Sequence, residues 1–110
     1  MNKWDSVGLK QSQKSRLKHK SIKDISSALK VVFQSILNSN RGIGTLSDGS
    51  LPGPFNAWMY TDLKMAEKLD NIGIAIRENT NSVPDQMKEI VICCIAVHFR
   101  CNVEFWAHSK

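Results

Sequence analysis

At 110 residues, 42% hydrophobic and 23% charged, the chain has the size and balance of one small soluble globular domain. Its net charge of +5 does not mark a nucleic-acid binder, because seven of the fifteen basic residues (Lys3, Lys10, Lys14, Arg16, Lys18, Lys20 and Lys23) precede position 24 against only Asp5, and the charges nearly balance beyond. The longest apolar run, Ile90 to Val97, is too short to span a bilayer, no secretory h-region follows the first charges, and three cysteines make no disulfide framework, so reduced thiols in a cytoplasmic setting are expected.

Residues 1–23 form a basic, Ser- and Lys-rich leader expected to be flexible and solvated, with contact to an acidic partner as the alternative. Asp24 has the character of an N-cap, and Ile25, Leu29, Val32, Phe33 and Ile36 follow at helical spacing. That helix fades at Asn38 to Asn40. The stretch "RGIGTLSDGSLPGP" (Arg41 to Pro54) is dense in Gly, Ser and Pro and predicts a loop. A second helical stretch runs from about Phe55 to Glu78, with Asp62 capping its main part and Met65, Leu69, Ile72 and Ile76 forming one apolar stripe. "ENTNS" breaks it. Pro84 and Asp85 open a third helix reaching Phe99, apolar on every side between Ile90 and Val97, which is the pattern of a helix buried in the middle of something. An interruption at Arg100 to Asn102 leads into a fourth helix from Val103. The fold class is all-α. Since the other helices offer single stripes, cover for the third is expected from another subunit or from residues beyond Lys110.

The last residues, "CNVEFWAHSK", place Cys101, Glu104 and His108 on one helical face. Glu89 precedes them by twelve, fifteen and nineteen residues, and a turn near Arg100 would fold their face against it. In general a carboxylate beside an imidazole orients the ring for general acid or base work, although a lone His near a Glu is more often a surface pair. Cys94, His98, Cys101 and His108 offer zinc-type atoms, but Cys93 and Cys94 are adjacent and no CxxC completes a set, so no metal is expected. A dithiol site needs two thiols three apart, and Glu104 stands where the second would be. Trp58, Tyr60 and Trp106 are not interleaved with basic residues, so no nucleic-acid partner is expected, and no membrane.

From Gly53 onward the sequence resembles the carboxymuconolactone decarboxylase family of the alkylhydroperoxidase D-like superfamily. The resemblance lies in "GPFNAWMYTDLKMAEKL" (Gly53 to Leu69), "VPDQMKEIVICCIAVHF" (Val83 to Phe99) and "CNVEFWAH" (Cys101 to His108), with a weaker match at Asp24 to Asn38. It implies an alkylhydroperoxidase D-like helical domain at residues 24–110, incomplete at its C-terminus, and a homo-oligomer, trimer or hexamer. It also implies a site made from Glu89, Cys101, Glu104 and His108, no cofactor, and acid–base decarboxylation of a small lactone carboxylic acid. His108 would be the proton donor and Glu104 or Glu89 its orienting carboxylate. Peroxidase-type relatives use both cysteines of a CxxC; here Cys101 matches one and Glu104 replaces the other. The alternatives are peroxiredoxin activity through Cys101 alone, or a non-catalytic fragment acting only by association. Arg100 also departs from the small residue, often Gly, that usually makes the turn before the signature.

Overall fold

The structure, a computed structural model, describes residues 7–8, 16–79 and 82–110. Among them are five helices and one isolated antiparallel bridge, Ser21 with Ser50, so the all-α class holds. The described residues divide into two compact units, one within Arg16–Asn81 and one of Ser82–Lys110 with residues 7–8.

In the first unit, α1 (Ser27–Asn38) buries Leu29, Val32, Phe33 and Ile36 on one side. Each such side chain contributes roughly 1.5–3 kcal/mol when taken out of water. Its N-cap is Ser26, whose hydroxyl accepts the Leu29 N–H at 3.3 Å, and not Asp24. Asp24 lies further back, closing a turn: it accepts the Ser21 hydroxyl at 2.7 Å and the Ser21 N–H at 2.9 Å. The single helix expected from Phe55 to Glu78 is two, α2 (Gly53–Trp58) and α3 (Leu63–Glu78), separated by a turn that Thr61 and Asp62 organise. Asp62 caps α3 by accepting the Met65 N–H at 2.9 Å.

The expected stripe on α3 does not face this core. Met65, Ile72 and Ile76 are each about half exposed, while Ala66 and Asp70 are buried. Ala66, fully covered, lets α3 approach α1 closely, and the polar Asp70 is accommodated by a network of its own. Leu51 and Met59 complete the core, with Phe55, Trp58 and Leu63 packed against it.

The last eight residues expected in the leader, 16–23, are anchored at several points to this unit. Asn56, buried, donates from Nδ2 to the Lys18 carbonyl at 3.2 Å and accepts the Lys20 N–H at 2.9 Å. Tyr60 donates its hydroxyl to the same Lys18 carbonyl at 2.6 Å, and the Lys20 ammonium stands 3.8 Å over the Tyr60 ring. The rest of the leader, apart from residues 7–8, lies outside the described residues.

The second unit is an antiparallel hairpin of α4 (Asp85–His98) and α5 (Asn102–His108). Pro84, at the α4 N-cap, has no N–H to leave unsatisfied, and Asp85 sits in the first turn where the helix dipole favours it. The turn between the helices requires a left-handed residue, which is Arg100, at φ +53°. Ala96 and Phe105 form the small core, with Val7, Cys93, Val97 and Cys101 packed on it. The expectation that α4 is buried on all sides is not met in this chain. Only Ala96 is fully covered, and Met87, Ile90, Val91 and Ile95 are each about half exposed.

Candidate functional site

The site belongs to the second unit. Glu89 lies on α4 on the same side as buried Ala96, seven residues or about two turns away. The turn through Phe99 to Cys101 reverses the chain, and the Cys101 N–H closes it by donating to the Ala96 carbonyl at 2.7 Å. α5 then runs back along α4. Glu104 and His108, four apart, stack on one face of it.

This geometry brings three of the four singled-out residues together. His108 Nδ1 pairs with Glu89 Oε2 across the hairpin, and His108 Nε2 stands 3.5 Å from Glu104 Oε2 along α5. The imidazole is therefore flanked by a carboxylate at each nitrogen. The two contacts differ in kind. The Glu89 contact is a direct hydrogen bond that fixes the ring plane and leaves Nε2 pointing along α5. The Glu104 contact is longer than the 2.7–3.2 Å of a good N–H···O bond, so Glu104 is an electrostatic neighbour of Nε2 and not a firm hydrogen-bond partner. The His108 side chain is 20% exposed and both carboxylates are 34% exposed, so the group is half-sheltered yet reachable from solvent.

Cys101 takes a different place. It is the N-cap of α5, its carbonyl accepts the Phe105 N–H at 3.2 Å, and its side chain packs against the Ala96–Phe105 core. Cys93, Cys94 and Cys101 form no disulfide. Cys94 and His98 lie on the side of α4 turned away from Glu89, which separates them from His108. Among the described residues, no group of three or more His, Cys, Asp or Glu side chains is placed to hold a metal ion. Trp106 projects from α5 on the face away from Glu104 and His108, with the Lys110 ammonium 4.9 Å over its ring.

A second polar cluster, in the first unit, has no counterpart in the sequence analysis. Asp70 pairs with Arg41 Nη2 and accepts the Ser35 hydroxyl at 2.6 Å, and Arg41 Nε donates to Ser39 Oγ at 2.9 Å. The two charged side chains are only 7% and 5% exposed. Arg41 was expected in a loop and Asp70 lies between two stripe residues. The one local signal was an aspartate among the apolar positions of α3.

No protein-family model, curated protein or solved structure matches the chain. Among the described residues no helix is long and apolar enough to cross a membrane.

Proposed function

We propose that this chain is a carboxymuconolactone decarboxylase-like protein of alkylhydroperoxidase D-like fold, whose His108 serves acid–base decarboxylation of a small lactone carboxylic acid. The observation that carries the reading is the imidazole of His108 held between Glu89 and Glu104. Loss of carbon dioxide from such an acid leaves its electron pair on the adjacent carbon, delocalised into the conjugated lactone carbonyl. One proton must then be delivered to carbon. Glu89 holds Nδ1 and so orients the ring, which leaves the Nε2 proton to be given to the substrate. Glu104, at 3.5 Å from Nε2, stabilises the imidazolium before transfer and is displaced from it as the substrate enters. General acid–base groups of this kind contribute about 10²–10⁴-fold to rate.

The test is carbon dioxide release from a series of lactone carboxylic acids. His108→Ala is expected to lower kcat by about 10²-fold or more, and Glu89→Gln to lower kcat with little change in KM. Release that is undiminished in His108→Ala would remove the histidine from the reaction, and no release with any lactone acid would remove the decarboxylase reading.

A second reading, a chain acting by association with its own kind or with longer homologous subunits, is favoured by the exposed apolar side chains of α3 and α4. In either case the partner is a homologous subunit, and in the first it is joined by the lactone acid.

A further inference from the structure

The residues of α4 that meet water are not scattered. Met87, Ile90, Val91, Cys94, Ile95 and His98 recur at steps of three and four, so they stand on one side of the helix, and all six are exposed. The positions between them, from Lys88 and Glu89 to Ala96 and Val97, are half-buried or buried. Phe99, 73% exposed, continues the stripe past the helix end. The stripe holds no Asp, Glu, Lys or Arg. The hairpin beneath it has little core of its own. Among the described residues of this unit only Ala96 and Phe105 are buried, and helices of 14 and 7 residues are marginal without tertiary cover. Cover for the stripe must therefore be at hand whenever the chain folds, a condition that another copy of the chain always meets.

We propose that two copies pair antiparallel through this side of α4, stripe on stripe about a two-fold axis. The inference rests on the reading of the chain as one that associates with its own kind, and it adds the face and the direction. Two features select a second copy. The stripe opens on the order of 700 Å² per copy, and a symmetric contact doubles that into the roughly 1,200–2,000 Å² of specific interfaces. Charge is the other. A stripe without ionised side chains meets itself without like-charge repulsion. Asp85 opens the helix and Arg100 follows its end, both exposed, so an antiparallel pair sets opposite charges and opposite helix dipoles side by side, where a parallel pair would set like ones. Full overlap of a stripe running from Met87 to His98 puts the axis beside residues 92–93. Met87 then meets the partner's His98, Ile90 the partner's Ile95, and Val91 the partner's Cys94.

Cross-linking reads both the face and the direction. In the full chain carrying Cys93→Ala and Cys101→Ser, the one thiol is Cys94, about 5 Å along the axis from the partner's Cys94. Mild oxidation is expected to join such chains into covalent pairs, and Ile95→Glu to suppress the joining with helical content unchanged. For direction, Cys94→Ala is added, and copies carrying Met87→Cys are mixed with copies carrying His98→Cys and treated with a short bis-maleimide. The mixed product is expected to exceed either self-joined product by about tenfold, because like positions stand roughly 16 Å apart along an antiparallel pair and together in a parallel one. Self-joined Met87→Cys chains in excess would overturn the antiparallel arrangement. A discrete multimer by light scattering whose Cys94 stays unjoined would overturn the proposal and leave self-association through another face. A single-chain mass at every concentration would overturn the proposal and self-association together, leaving the stripe to a different protein.

Discussion

Asp48 accepts the Ser50 hydroxyl at 2.5 Å and the Ser50 N–H at 2.9 Å, and His19 Nδ1 meets its other oxygen at 2.8 Å. The Ser50 hydroxyl first, then the Ser50 N–H and His19, hold its carboxyl at about 2, below the usual 3.8. A carboxyl whose folded value is depressed stabilises the fold above its unfolded value and loses that contribution as pH falls through the folded one. The Asp48 contribution is therefore complete above about pH 4 and fades toward pH 2. Asp24, held low by the Ser21 hydroxyl and N–H, acts in the same direction. Thermal melts between pH 5 and pH 2 are expected to fall steadily, and Asp48→Asn to flatten part of that slope while lowering the melting temperature at neutral pH. The Arg41–Asp70 pair belongs to another regime, because it is buried. Removing one partner strands a charge, so Asp70→Ala is expected to cost about 3–5 kcal/mol in urea unfolding, and Arg41→Met with Asp70→Leu to recover most of it. A double variant no more stable than Asp70→Ala would show that the loss is one of packing.

At the scale of elements, the α4–α5 hairpin turns on Arg100, a non-glycine in the left-handed region. That conformation costs an L-residue roughly 1–2 kcal/mol, which glycine avoids. Arg100→Gly is thus expected to stabilise the second unit by about 1 kcal/mol, read as slower hydrogen exchange of the α4 and α5 amides with Glu89 and His108 still paired. Unchanged or faster exchange would mean that the Arg100 side chain supports the hairpin in some other way. The elements themselves were largely legible in the sequence. The α1 stripe and the Asp62 cap are local patterns, and both lie where the spacing put them. The closeness of α5 to Glu89 was legible too, because a hairpin between two short helices leaves few alternatives. What was not legible depended on distant partners. The stripe of α3 is stronger to the eye than Ala66 and Asp70, yet the small residue and the aspartate face α1, because the contact is set by close approach and by Arg41, 29 residues away. The cap at Ser26 was hidden because Asp24 is an equally good capping residue and the turn at Ser21 claims it first.

For the whole molecule, the exposed apolar side chains are the dominant fact. Met65, Ile72 and Ile76 on α3 and Met87, Ile90, Val91 and Ile95 on α4 are each about half open to water. Such patches mark surfaces that meet other protein. Light scattering of the purified chain is expected to give a mass that exceeds 12.4 kDa and rises to a discrete multiple with concentration. Ile90→Glu with Ile95→Glu is expected to return it toward a single chain. A single-chain mass at every concentration would remove self-association. The anchoring of Lys18 and Lys20 has a consequence in time. Their partners Asn56 and Tyr60 lie 36 to 42 positions later in the chain. A ribosome adding about 5–20 residues per second therefore releases this segment roughly 2–8 s before anything exists for it to bind. The first part of the unit to be made thus waits while 36 to 42 further positions are added.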